Sequence, residues 1–238
     1  MKRFWDTATA EQTPAGFAVL LDGRPMHLPD GAVLQVRCPR LAAAIAAEWQ
    51  AAGGAKGGEM SFADTPLTRV AGTAQQRIAP DPQPTIDAIA RYAENDLLCY
   101  RASAPPALVE RQARGWQPWL DWVAQTYAAP LRVTSGVGPI RQHRDSVAAL
   151  RRAVGALDPE VLAALGIAVP ALGSLVLGLA LADGRLDAAE AHALGALDEA
   201  FQAEQWGEDA EATARRAAIA ADIALAGRFI ALTRGEQG

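Results

Sequence analysis

The strongest constraint on this chain of 238 residues is an uncharged apolar run, Ala168 to Ala182, fifteen residues without one ionisable side chain. As a helix it would span ~22 Å, short of the ~30 Å hydrocarbon core of a bilayer. The run therefore reads as a helix buried by protein on every side. Its Pro170, Gly173, Ser174 and Gly178 leave room for neighbouring helices to approach closely. Helices to surround it are in good supply, because 54 of the 238 residues are alanine, the strongest intrinsic helix former. Half the chain is hydrophobic (50%), which excludes disorder as the main state and suffices for one large domain or two small ones.

A formal net charge of −5 argues against a dedicated nucleic-acid binder, which needs a basic surface to neutralise phosphates. Met1-Lys2-Arg3-Phe4-Trp5-Asp6 lacks the apolar run of a secretory signal and the long basic stretch of a transit peptide. The chain is thus expected in the cytoplasm, without membrane insertion. Cys38 and Cys99 belong to no CxxC pair, and His27, His143 and His192 have no second ligand at metal-binding spacing. No disulfide, metal or cofactor is expected. Serine chemistry has no support either, since Ser174 lies in Gly173-Ser174-Leu175 and not in a nucleophile elbow.

Along the chain, Phe17, Val19 and Leu21 alternate before Asp22-Gly23-Arg24-Pro25, then Met26, Leu28 and Val33 to Val36 follow between turn residues, the pattern of a β-meander. Pro39 opens a helix carrying Leu41, Ile45 and Trp49 and stopped by Gly53-Gly54. Gly53 to Gly58 fails the phosphate-loop spacing and reads as a flexible linker. A helix from Thr65 to Ile78, a rigid connector Pro80 to Pro84, and a helix from Thr85 to Ala93 come next, then a short extended segment at Leu97 to Tyr100. After Pro105-Pro106, Val109, Gln112, Trp116, Trp119, Leu120, Val123 and Tyr127 form the inner stripe of a long helix, and Leu131 to Thr134 is a strand closed by Ser135 to Pro139. The rest is helical. The expectation is an α+β protein: a small N-terminal α/β domain, barrel-like or two-layered, over 1–138, and a helical bundle over 139–238, with a boundary near 80 as the alternative.

One stretch carries a functional signal. Projected as a single helix, Asp187 to Gly207 places Leu194, Leu197 and Phe201 on a core stripe and Glu199, Gln202 and Trp206 on a second one, with Glu199 and Trp206 ~20° apart. Trp206 either folds back on a neighbouring helix or stands with Glu199 in a partner-binding patch, where tryptophan and arginine are favoured. Arg111, Gln112, Arg114 and Trp116 make a second candidate patch against the plainer reading of a solvated arginine face.

Taken in order, Gly16-Phe17, Leu21-Asp22-Gly23-Arg24-Pro25, Ala44 to Trp49, Pro66-Leu67-Thr68-Arg69 and Thr73-Ala74 resemble one known family. So do Tyr92-Ala93, Asp96 to Arg101, Leu108-Val109, Arg111-Gln112, Trp116, Leu120-Asp121-Trp122, Gly173 to Leu177, Leu197-Asp198-Glu199, Phe201-Gln202 and Trp206-Gly207. That family is the ATP synthase assembly chaperones that handle the α subunit of the soluble catalytic head. The resemblance implies a non-enzymatic chaperone that binds the unassembled α subunit, prevents its aggregation and releases it for assembly. It matches Glu199 to the family's functional acidic position and Trp49 to its AxEW tryptophan, here read as a packing residue. Taken with the helix projection and the arginine patch, it makes Glu199, Gln202, Trp206 and Arg111 the expected partner contacts, and a monomer is expected. The missing transit peptide suggests a bacterial member, whereas eukaryotic relatives would work in the mitochondrial matrix. The competing reading is a small-molecule enzyme with Asp96, Arg101 and Arg111 in a cleft between the two parts; a permanent scaffold on the assembled ATPase is a third.

Overall fold

The computed structural model describes residues 1–135, 138–207 and 209–234, and the described residues are α+β. Their packing separates two compact units: Met1–Pro82 with Asp158–Ala164 and the residues from Arg228 onward, and Gln83–Leu157 with Leu165–Gly227. The helices between 83 and 127, which precede a boundary at 138, thus share a unit with later ones.

The first unit is built on a hairpin of β1 (Ala8–Thr13) and β2 (Gly16–Leu21), paired from Ala8↔Leu21 to Thr13↔Gly16. On its other side β2 pairs with β3 (Arg24–Pro25) at one end and β4 (Gln35–Val36) at the other. The Asp22-Gly23 turn has φ of 49° and 75°, the two positive values that match a hairpin turn to strand twist. The Asp22 carboxylate, below its usual range because it accepts the Thr7 and Asp6 N–H groups, ties the turn to the chain before β1. β1 escapes sequence reading because it is polar and mostly exposed.

Helix α1 (Pro39–Ala51) packs Leu41, Ile45 and Trp49 on this sheet. Its end corrects the flexible-linker expectation for Gly53 to Gly58. The Arg3 side chain, 3% exposed, donates to the carbonyls of Trp5, Asp6, Gln50, Ala52 and Gly54. Three of these lie at or just beyond the end of α1, where the helix dipole favours a cation. The glycines close around it: Gly57 N–H donates to Arg3 O at 2.8 Å, and a Cβ on Gly58 would stand 1.8 Å from Gly53 O. The segment is an ordered loop wrapped on a buried guanidinium. Helix α2 (Pro66–Thr73) continues into a π-helical turn, Ala74–Ile78.

In the second unit α3 (Gln83–Ala90) packs on α5 (Arg144–Gly155), and α4 (Pro106–Tyr127) on α7 (Leu175–Asp183). The segment expected to be extended at Leu97 to Tyr100 is a 3-10 turn, Leu97–Cys99, leading into β5 (Tyr100–Arg101), because Asp96 accepts the Leu98 N–H and caps the turn. β5 pairs in parallel with β6 (Thr134–Ser135), which is shorter than the expected strand; the turn at Gly136-Val137 lies outside the described residues. Along α4, Gln112, Trp116, Leu120 and Val123 are buried, whereas Val109, Trp119 and Tyr127 are only half-buried.

The long apolar run is not one helix but the end of α6 (Pro159–Leu172) and α7. Gly173 turns with φ of 62° and the Ser174 hydroxyl accepts the Leu177 N–H, starting the second helix. Below it lies Asp96, completely buried, which accepts from Ser174 Oγ at 2.7 Å and from the N–H groups of Val176 and Leu98. Leu175 to Leu181 are buried without exception, as the absence of charge requires. The remaining helices are α8 (Ala188–Gly195), α9 (Leu197–Trp206) and α10 (Ala210–Thr233).

Candidate partner-binding site

The stretch projected as one helix from Asp187 to Gly207 is two. Asp187 and Glu190 form a capping box that starts α8, and Ala196, at φ −93° and ψ 11°, breaks the helix before α9. A Cβ on Gly195 would lie 3.2 Å from Leu172 Cδ2, so the break occurs where α8 packs tightly on the end of α6. Leu194 therefore belongs to a different helix from Glu199, and the angle between their stripes does not carry across. Within α9 the geometry holds, because Glu199, Gln202 and Trp206 follow one another at helical spacings of three and four.

Leu197 and Phe201, 7% and 6% exposed, anchor α9. Opposite them Glu199 and Gln202 are exposed, and Trp206 is 79% exposed. The alternative in which Trp206 folds back on a neighbour is thus corrected: α9 ends at Gly207, φ 89°, directly after the tryptophan. Among the described residues Glu199 has one loose ion pair, 3.8 Å from Arg215. It also rims a small cavity of about 50 Å³ with His192 and Arg216, where the buried His192 Nε2 has no hydrogen-bond partner.

Arg111 meets α9 on another side, at Phe201 and Glu204, and is not brought together with Glu199, Gln202 and Trp206. Its guanidinium grips Glu204 of α9 in two parallel bonds of 2.7 and 2.8 Å and lies over the Phe201 ring, 5.2 Å from its centroid. The hydrogen bond from Arg111 keeps the Glu204 carboxyl below its usual range. The rest of the second candidate patch is internal: Gln112 is 1% exposed and donates to Asp198 at 2.7 Å, and Trp116 is 0% exposed with its Nε1 on Leu194 O at 2.9 Å. A Cβ on Gly115 would come within 3.1 Å of Leu197 Cδ1, so α4 and α9 meet too closely for a surface there. Arg114 alone of that group is exposed.

The residues of the enzyme reading are engaged elsewhere. Burial pushes the Asp96 carboxyl up to about 6, but its oxygens cap two helical segments. Arg101 donates to Leu98 O and Gln112 O, and Arg111 holds Glu204. Burial also pushes the neighbouring Cys99 thiol up to about 12, leaving it protonated. Among the described residues no cluster of three histidine, cysteine or acidic side chains could hold a metal ion, and no helix is long and apolar enough to cross a membrane. Trp49 is a packing residue of the first unit, 6% exposed, its ring tilted against that of Trp5 at 5.0 Å between centroids and its Nε1 donating to Thr68 Oγ1. Sequence reasoning missed Arg3 and the Asp96–Ser174 pair, whose only signals are a basic residue near the start and a serine inside an apolar run.

Residues 2–124 match the family model described as ATP12 chaperone protein. Among solved structures, the chain is similar to Atp12 from Paracoccus denitrificans, at 44% identity and a TM-score of 0.92, covering 98% of each chain. An aspartate-to-lysine mutant of the P. denitrificans protein matches equally well, at 44% identity and a TM-score of 0.92 over 98% of each chain. A protein from Agrobacterium tumefaciens described as a chaperone candidate is 37% identical with a TM-score of 0.90, over 98% of this chain and 86% of that one.

Proposed function

The chain belongs to the ATP12 chaperone family, and we propose that it binds the unassembled α subunit of an ATP synthase catalytic head through the outer face of α9. It holds that subunit soluble and releases it when β subunits arrive. The observation that carries this reading is Trp206, 79% exposed at the end of a helix whose neighbouring positions are polar. A large aromatic held out in water gains only when a partner covers it, and such residues dominate binding energy at interfaces. An isolated ring subunit offers the matching surface, since the apolar faces meant for its neighbours are bare. A small contact centred on one tryptophan can be displaced by the larger subunit interface that follows. Glu199 and Gln202 flank the anchor and set its selectivity, Arg111 braces the helix through Glu204, and Trp49 holds the first unit together. The protein works as a cytoplasmic monomer, without cofactor or catalysis.

Co-expression with the α subunit tests this. The soluble yield of the subunit rises with the chaperone present, and an equal yield with and without it refutes the proposal. Trp206→Ala and Glu199→Lys each lose most of that protection while keeping the parent's circular dichroism and stability within about 0.5 kcal/mol, as exposed positions do. If either variant unfolds, its residue is structural and the face must be placed elsewhere.

A further inference from the structure

The outer edge of β4 is met by side chains where a sheet would place another strand. In extended chain, alternate residues turn their N–H and C=O toward the same edge. Leu34 N–H donates inward to Met26 O at 2.9 Å and Val36 pairs with Phe17, so the main-chain groups of Val33, Gln35 and Arg37 face outward. One main-chain group of each is capped. Gln75 Nε2 donates to Val33 O at 2.8 Å and Gln75 Oε1 accepts the Gln35 N–H at 2.9 Å, while Glu160 Oε1 accepts the Arg37 N–H at 3.4 Å. One bond given at 33 and one taken at 35 are the pair that a residue opposite Leu34 would make from a parallel neighbouring strand. The other Glu160 oxygen holds the Arg37 guanidinium at 3.2 Å, which also reaches Asp158 at 2.9 Å. Beside the caps a groove of about 290 Å³ opens, lined by Gln35, Arg37, Ala71, Ala74, Gln75 and Glu160 among others. Every residue of this arrangement lies in the first unit.

We propose that the edge of β4 is a strand-docking slot held closed by Gln75 and Glu160, and that its guest is an extended segment of the client with an acidic side chain set against Arg37. The inference rests on the chaperone reading for the identity of the client. Strand addition takes main-chain hydrogen bonds for affinity and side-chain pockets for selectivity, and the slot has both. The groove of about 290 Å³ leaves space beside the edge, whereas side chains serving only to blunt an edge would fill the space they guard. Gln75 and Glu160 can return to water when displaced, so opening orphans no buried polar group. Displacing Glu160 leaves Arg37 short of one carboxylate, and an acidic guest residue replaces it.

The probe is a fluorescein-labelled eight-residue peptide of alternating valine and threonine with one aspartate, titrated by anisotropy. The double variant Gln75→Ala/Glu160→Ala, freed of its competing caps, binds it about tenfold more tightly than the parent. The same peptide with alternate amides N-methylated on its pairing edge loses that gain. Equal affinity of parent and double variant, equal binding of the methylated peptide, or dimerisation of the double variant without peptide binding overturns the slot. Hydrogen exchange of the chaperone–α subunit complex separates this inference from the function beneath it. Added protection at Gln35 and Arg37 supports the slot; subunit bound without that protection sinks the slot alone, and no complex at all sinks the chaperone reading.

Discussion

Two buried charges show how differently this chain solves the same problem. Arg3 has no carboxylate in its hydrogen-bond set and is satisfied by five carbonyls, an arrangement that needs the planar fork of a guanidinium. Arg3→Lys keeps the charge but cannot reach all of them, and should cost about 2 to 3 kcal/mol in urea denaturation; a loss within error would mean that the glycine loop holds without it. Asp96 is the opposite case, a carboxyl pushed up to about 6 by burial against the donors that favour its charge. The folded state therefore keeps its proton at pH values where the unfolded chain, near the ordinary aspartate value of 3.8, has lost it. Between about pH 4 and 6 the unfolded state binds fewer protons, so this group's contribution to stability falls as pH rises and is flat above that window. In Asp96→Asn that fall disappears. Relative to the variant, the parent should lose about 3 kcal/mol across the window, read from urea denaturation at a series of pH values; parallel curves would rule this out.

Elements were legible where their pattern carries a phase. β2 announced itself by Phe17, Val19 and Leu21 before an Asp-Gly turn, and α1 by a proline start and a three-four spacing. β1 was invisible because nothing in Ala8 to Thr13 needs burial. The break between α6 and α7 could not be read because a run that is apolar on all faces has no preferred side, so a change of direction leaves no trace in periodicity. The break at Ala196 was hidden for the opposite reason: each residue from Ala193 to Leu197 except Gly195 is a fair helix former, and packing against Leu172 decides. The α9 face was half legible, since spacing grouped Glu199 with Trp206, but their exposure depends on what lies beside the helix end. The α6–α7 contact itself can be tested. A Cβ on Gly178 would stand 2.5 Å from Val169 Cγ2, so Gly178→Ala should cost about 1 to 3 kcal/mol through overpacking despite its better helix propensity. Adding Val169→Ala should recover part of that loss in a double-mutant cycle. Additive losses would show that the two helices do not interlock there.

At the scale of the molecule, the chain does not fold in the order in which it is written. The first unit takes Met1–Pro82 but is completed by Asp158–Ala164 and the residues from Arg228 onward. These returning segments bring Leu162, Ala164, Phe229 and Ile230, 1%, 0%, 0% and 2% exposed, together with Glu160, which caps the Arg37 N–H. A composition shift near 138 marks where strands stop, which is not where packing separates. Contact between distant parts of the sequence is established only when the chain has come back, and no local pattern records that return. The consequence concerns fragments. Residues 1–138 expressed alone would lack both returning segments, leaving apolar surface bare and the edge of β4 without one of its caps. That fragment should show no cooperative thermal transition and weak near-ultraviolet dichroism from Trp5 and Trp49, whose rings are 5.0 Å apart in the intact chain. Mixing it with residues 139–238 should restore both signals. A fragment 1–138 that melts cooperatively with the intact chain's near-ultraviolet spectrum would show instead that the returning segments only decorate a unit already complete.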